Sequence, residues 1–189
     1  MTKKDSRGIF TMEYQKHRYN SYISKSLCKL LADALPKDKP VYDFGCGTGE
    51  YLEYLQEQGF DVTGFDGTPE LNDFSNIPII EQDLTEPMNE PEMKGSVLCI
   101  EVAEHIEREK AGTLLDNLTK FVDKYLVLSW AIPGQGGVGH VNEQPNSFVI
   151  SKMAKRRFEL NKEMTEKWRA AAGKDLKWLG NTLMVFEKK

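Results

Sequence analysis

Long apolar runs are missing from this sequence. No stretch approaches the ~18 residues that a helical membrane span needs, so no membrane partner is expected. The first residues, Met1–Arg7, are charged and polar and no apolar segment follows them. A secretion leader is therefore not expected, and a cytoplasmic location is. Cysteine is scarce: Cys28, Cys46 and Cys99 are three, an odd number without zinc spacing, as reduced thiols would be. Histidine is equally scarce, with only His17, His105 and His140, so any imidazole chemistry has few candidates. Internal repeats, low-complexity segments and long linkers are absent too. The net charge is only -4, but it is unevenly spread. From Lys152 onward, 11 basic residues face 5 acidic ones, a local +6 that leaves -10 for the rest. Lys152, Lys155, Arg156 and Arg157 form the densest basic stretch. It lacks the length and aromatic interleaving of a nucleic-acid surface and reads as a solvated helix face. Nucleic acid is not the expected partner, and nothing in the pattern sets an oligomeric state.

What is present is the composition of a globular domain: 189 residues, 40% hydrophobic and 29% charged. The periodicity predicts helices and strands in alternation. A helix is expected over Met12–Leu35, strands over Val41–Phe44, Phe60–Phe65, Ile77–Gln82, Val97–Ile100 and Tyr125–Trp130, and helices over Gly49–Gln58 and Glu107–Val122. A helix over Phe148–Arg157, a strand over Phe158–Leu160 and a helix over Asn161–Ala172 follow. The Gly180-Asn181 pair predicts a closing hairpin between Leu176–Leu179 and Thr182–Phe186. Alternation of this kind implies βαβ crossovers: an α/β, Rossmann-like, doubly wound and mostly parallel sheet with helices on both faces. One domain over 1–189 is expected, divided into a helical cap at 12–40, a core at 41–130, and a loop with C-terminal helices and hairpin at 131–189.

The strongest motif is Asp43-Phe44-Gly45-Cys46-Gly47-Thr48-Gly49. It follows a strand and opens a helix, where glycines permit a tight turn and close approach of backbone to a ligand. About 20 residues further, at the next strand's end, an acid that holds ribose hydroxyls is expected; Asp66 stands there. The spacing Gly45-x-Gly47-x-Gly49 is not the dinucleotide G-x-G-x-x-G, and the chain has no room for a second nucleotide half. A nicotinamide or flavin enzyme is thereby disfavoured.

With these motifs the chain resembles the class I S-adenosylmethionine-dependent methyltransferases over roughly residues 12–187, and is similar to sugar and glycan O-methyltransferases of bacterial and viral glycan-synthesis clusters. The resemblance implies a seven-stranded sheet whose last strand is antiparallel, and S-adenosylmethionine as cofactor with S-adenosylhomocysteine as product. It implies that Asp43, Gly45, Cys46, Gly47 and Gly49 border the methionine part, and that Asp66 and Gly67 lie at the ribose. It further implies that Asp83 and Leu84 lie beside the adenine, and that Glu101 faces the methionine amine or the acceptor. The N-terminal helix, which covers the cofactor in relatives, offers Tyr14, His17, Arg18 and Tyr19, of which Arg18 or His17 would meet the methionine carboxylate.

Methyl transfer to a neutral hydroxyl needs a base or a metal. His105, in Glu101-Val102-Ala103-Glu104-His105, follows the fourth strand, and His140 follows the fifth. Neighbouring strand ends of a parallel sheet share one mouth, so either histidine is a candidate base, with Glu101 or Glu104 orienting it; His140 is preferred because its loop can close. The set Glu101, Glu104, His105 and His140 also resembles the metal site of small-RNA 3′-end 2′-O-methyltransferases, which would imply Mg²⁺ or Mn²⁺. The loop Trp130–Gly139 carries four glycines between 134 and 139. Trp130 could stack on a sugar there, with Gln135, Asn142 and Gln144 as polar contacts. The expected activity is O-methylation of a small polyhydroxylated acceptor, a sugar or glycan. The alternatives are metal-assisted methylation of an RNA ribose and a non-catalytic S-adenosylmethionine-binding module.

Overall fold

The segment Gly95–Cys99 (β4), apolar but for Ser96, is buried at every residue, as a strand covered on both faces must be. It pairs in parallel with Val41–Phe44 (β1) on one side and Val122–Leu128 (β5) on the other. Val62–Asp66 (β2) and Ile79–Glu81 (β3) continue the parallel set beyond β1. Phe158–Leu160 (β6) and Met184–Lys188 (β7) complete a seven-stranded sheet in the order β3-β2-β1-β4-β5-β7-β6. β7 runs antiparallel to both β5 and β6. This is a computed structural model that describes residues 3–5, 9–19 and 21–189. Of the polar opening stretch Met1–Arg7, residues 1, 2, 6 and 7 lie outside the described part.

Helices cover both faces of the sheet. Lys25–Ala34 (α2), Glu50–Glu57 (α3) and Lys162–Asp175 (α7) bury Leu27, Leu31, Leu52, Leu55 and Trp168 in one apolar layer. Ala111–Phe121 (α5) and Asn146–Ala154 (α6) bury Leu114, Leu118 and Val149 in the other. Two single-turn helices, Leu71–Phe74 (α4) and Leu179–Thr182 (α8), and the N-terminal Met12–Arg18 (α1) complete the helical set. No helix among the described residues is long and apolar enough to cross a membrane.

Three local expectations are corrected. The helix expected over Met12–Leu35 is two helices, because Ser24 turns extended and caps α2 by accepting from the Leu27 amide at 3.1 Å. Its hydroxyl also donates to Asp175 at 2.8 Å, tying the break to the end of α7. The terminal hairpin is absent: Gly180-Asn181 lies inside α8. A side chain on Gly173 of α7 would come within 2.9 Å of the Gly180 Cα, so these glycines serve helix contact rather than a turn. β5 starts at Val122 and ends at Leu128, short of Trp130. In the basic stretch, Arg156 is a structural tie, with its guanidinium on Asp116 at 2.7 Å and on the Gly112 carbonyl at 3.2 Å across to α5.

Candidate active site

Strand order reverses between β1 and β4, and ligands of such sheets bind at the carboxyl ends beside that reversal. A cavity of about 770 Å³ opens there. The loop after β1, the ends of β2 and β3, the turn after β4 and the loop after β5 line it, and Ile9, Phe10, Tyr14 and Arg18 close it from the N-terminal side.

The cofactor motif builds one wall. Gly45 has φ +77°, and a Cβ there would run into Val102, so the loop after β1 and the turn after β4 touch only because this residue is glycine. Asp66 closes the loop: one carboxylate oxygen accepts from the Gly47 amide at 2.9 Å and the other from the Thr68 amide at 2.8 Å. Burial pushes its pKa up, against those hydrogen bonds. Asp43 lies beneath the loop, and burial, then the nearby charges of Asp66 and Glu50, push its carboxyl up to about 7. Burial also raises the Cys46 thiol, so it is no nucleophile. Gly67, Asp83 and Leu84 line the cavity. The Asp83 carboxylate accepts from the amide and the hydroxyl of Thr85 at 2.9 and 2.7 Å. Gly49 does not line the cavity; it caps α3 with φ +89° and packs toward Ile77. Glu101 has φ +59°, a sparsely populated conformation for a residue with a side chain. Ser129 holds it from both ends, accepting from its amide at 2.7 Å and donating to its carboxylate at 2.8 Å. Arg18 lies with its guanidinium 3.8 Å from the Tyr22 ring centre, and it exerts a favourable charge on Glu101. His17 is exposed and takes no part in the lining.

The opposite wall brings the two histidines together. A 3-10 turn at Ala103–His105 presents His105, and its ring stands edge-on to that of His140 with centres 5.0 Å apart. Nδ1 of His105 lies 3.1 Å from the Gly139 carbonyl, which only accepts, so Nδ1 carries the proton and Nε2 the lone pair. Burial, opposed in part by that hydrogen bond, lowers the His105 pKa to about 4. Glu104 is fully buried and does not line the cavity. Its Oε1 lies 3.9 Å from His140 Nε2, and burial followed by the charge of Glu101 raises its pKa to about 8. One donor atom each from Glu104, His105 and His140 falls within 4.8 Å of the others. Glu101 is not in that group, so the four-residue set of the sequence reading contracts to three.

These three residues fit a divalent cation on two counts. Both oxygens of the buried Glu104 carboxylate lack a hydrogen-bond partner, a costly state for a charge without a counter-ion. Both imidazoles have Nδ1 engaged by an oxygen, the outer contact that metal-binding histidines make. Two nitrogens and a carboxylate suit Mn²⁺ better than the all-oxygen shell of Mg²⁺.

The sequence reading missed Glu143. Its carboxylate accepts from the Gly134 and Gly136 amides, each at 2.7 Å, and from His140 Nδ1 at 3.1 Å. The His140 contact leads the causes that hold Glu143 below the usual carboxylate range. Its signal lay in the spacing: an acid three residues after a histidine, closing a loop of four glycines. Trp130 was assigned instead to sugar stacking, and this is corrected: it is fully buried, and its indole N–H donates to the Asn142 carbonyl at 2.6 Å. Asn142 and Gln144 bond each other at 2.7 Å and stay out of the lining, whereas Gln135 is in it.

A family model described as "Methyltransferase domain" matches residues 14–127. No curated protein matches the chain. Among solved structures, a TehB-like SAM-dependent methyltransferase from Corynebacterium glutamicum is similar at 21% identity and TM-score 0.66, covering 94% of this chain and 95% of its own. The sugar N-methyltransferase KedS8 from a Streptoalloteichus species is similar at 14% identity and TM-score 0.69, covering 92% and 91%. Magnesium protoporphyrin IX methyltransferase from Synechocystis, solved with bound SAM, is similar at 18% identity and TM-score 0.60, covering 93% and 80%.

Proposed function

Since the chain belongs to the methyltransferase domain family, we propose that it moves a methyl group from S-adenosylmethionine to a hydroxyl of a small polyhydroxylated acceptor, a sugar or glycan. The observation that carries the reading is the His140 imidazole at the cavity mouth, with Glu143 on Nδ1 and Nε2 left as the lone-pair atom. Bound S-adenosylmethionine supplies a methyl group activated by a positive sulfur. Asp66 and Gly67 hold the ribose, Asp83 and the Leu84 backbone flank the adenine, and Asp43, Glu101 and Arg18 hold the two ends of the methionine. That arrangement leaves the histidine wall for the acceptor. His140 takes the hydroxyl proton as the oxygen attacks. His105, held neutral with a pKa of about 4, orients the acceptor through Nε2. The volume of about 770 Å³ accommodates the cofactor and an acceptor of small-molecule size.

A second reading rests on the unpartnered Glu104 carboxylate. Here Glu104, His105 and His140 hold a divalent cation, whose chemistry would be to acidify the acceptor hydroxyl. One experiment tests both readings: transfer from methyl-labelled S-adenosylmethionine to a panel of sugars, nucleotide-sugars, phenols and RNA 3′ ends, with and without EDTA. Label on a sugar hydroxyl, indifferent to EDTA, is the result expected of the imidazole base. Activity that EDTA removes and Mn²⁺ restores transfers the role to the cation. Label confined to RNA ends, or to no acceptor, overturns the sugar assignment.

A further inference from the structure

The segment 134–140 is glycine-rich and yet ordered: Lys4 Nζ and His105 Nδ1 hold its Gly139 carbonyl, and Glu143 holds its other end. Gly134, Gly136 and Gly139 all have positive φ, at +87°, +69° and +76°. Such a backbone costs glycine little, but the unfolded freedom of glycine makes the segment expensive to order. Glu143 offsets that cost from three residues beyond. One carboxylate oxygen accepts from the Gly134 amide, and the other accepts from both the Gly136 amide and His140 Nδ1. Hydrogen bonds to an ionised acceptor are stronger than neutral ones. Gly137, between them, faces the His140 ring so closely that a Cβ would overlap Nε2, Cε1 and Cδ2. Glu143 thus ties the Gly134–Gly136 part of the loop to the His140 imidazole, which is seated against Gly137.

We infer that Glu143 is a positioning residue: it folds the 134–140 loop and fixes His140 as the Nδ1–H tautomer, with the Nε2 lone pair turned toward Glu104 and the cavity. The inference rests on the proposed function only for its purpose, since a base and a metal ligand both need Nε2 free of a proton. Its content is independent of the acceptor. An ionised carboxylate has no proton to give, so the hydrogen between Glu143 and Nδ1 belongs to the imidazole. Without Glu143, no described hydrogen bond holds Nδ1, and two glycine amides lose their acceptor.

The test is ¹⁵N NMR of the histidine side chains in the full chain at alkaline pH, where an imidazole is neutral, for wild type and Glu143→Ala. The wild-type His140 should show the Nδ1–H pattern. In Glu143→Ala it should become a mixture dominated by the Nε2–H form, with amide exchange at Gly134 and Gly136 faster by about 10-fold or more, the size of a lost hydrogen bond to a charged group. His105, whose Nδ1 partner is the Gly139 carbonyl, reports the neighbouring ring in the same spectrum. S-adenosylmethionine titration serves as the folding control, because Glu143 touches none of the cofactor-side residues. An unchanged His140 tautomer in a variant that still binds S-adenosylmethionine overturns the inference. Should Glu143→Ala fail to fold, Glu143→Gln keeps one acceptor oxygen with the same shape; an unaltered tautomer together with unaltered glycine exchange there overturns it equally. A tautomer change with undiminished methyl transfer supports the positioning role and removes His140 as the base, so the two failures are distinguishable.

Discussion

Oε1 of Glu104 lies 3.9 Å from Nε2 of His140, too far for a hydrogen bond, and neither oxygen of that buried carboxylate has a hydrogen-bond donor among the described residues. Burial raises the Glu104 pKa to about 8, so the folded protein holds a proton there that the unfolded chain has released at neutral pH, and this lowers stability. Replacing Glu104 with Gln keeps the shape and removes the charge. The variant should melt higher at neutral pH and above, by about 2–4 °C for each kcal/mol recovered in a chain of this size. It should also lose any Mn²⁺ affinity measured by calorimetry. A lower melting temperature would mean that the carboxylate is compensated in the folded protein.

Asp66 joins the second strand to the glycine loop through the Gly47 and Thr68 amides, at 2.9 and 2.8 Å. Asp66→Ala removes the ribose contact expected of it and also frees the loop. Each lost hydrogen bond to a charged group is worth about 1.5–3 kcal/mol, so S-adenosylmethionine affinity should fall at least about 10-fold. Calorimetric titration measures this directly, and an affinity within twofold of wild type would remove Asp66 from the ribose site.

The legibility of the molecule divides along physical lines. The succession of strands along the chain up to Leu128 and the place of Asp66 at a strand end followed from periodicity and glycine spacing, because both are local, whereas Asp83 came from the family resemblance. The break before Ser24 was not legible: the apolar stripe continues through it, and the start of the second helix is held by a distant acceptor, Asp175. Gly180-Asn181 reads locally as a turn, and only its contact with Gly173 shows why it is helical. Trp130 was misplaced because a strand-end aromatic looks alike whether it faces a ligand or the core. His105 and His140 were visible as candidates. Their common wall follows from strand adjacency, but Glu143 becomes visible only once its carboxylate is seen against the two glycine amides.

Asp43 sets a pH dependence whose sign is fixed. Its folded-state pKa, about 7, lies above the ordinary 3.8, because burial penalises the charged form. The folded protein therefore holds a proton that the unfolded chain has released between these values. The contribution to stability is complete below about pH 4 and is lost as pH rises through about 7. Its slope reaches at most about 1.4 kcal/mol per pH unit for one proton. Asp66, Glu101 and Glu104 are raised as well and act in the same sense, so the useful measurement is a difference. Urea unfolding of the ligand-free protein at pH 5, 6, 7 and 8 should show stability falling, and Asp43→Asn should show a shallower fall. Parallel curves for the two proteins would place the Asp43 pKa near its ordinary value.

Gly137 provides the sharpest test of the histidine wall, because the hydrogen on its Cα is what the His140 ring lies against. In Gly137→Ala the added methyl and the ring cannot both keep their places. Gly137 has no positive φ to strain, so the ring is what moves. Displacement by about 1 Å of a group acting on the reacting hydroxyl can cost about 100-fold in rate. Turnover on the acceptor found in the label screen should fall on that order, while S-adenosylmethionine affinity stays within twofold, since the atoms nearest the added methyl are those of the His140 ring and none belongs to the cofactor motif. Gly59→Ala is the control: nothing lies within 4 Å of its Cβ and it is not part of the cavity lining, but its φ of +86° is strained for alanine. That variant should lose about 1–2 kcal/mol of stability and keep most of its turnover. If the two variants lose turnover equally, backbone strain in general rather than the His140 position governs the rate, and the imidazole is not the base.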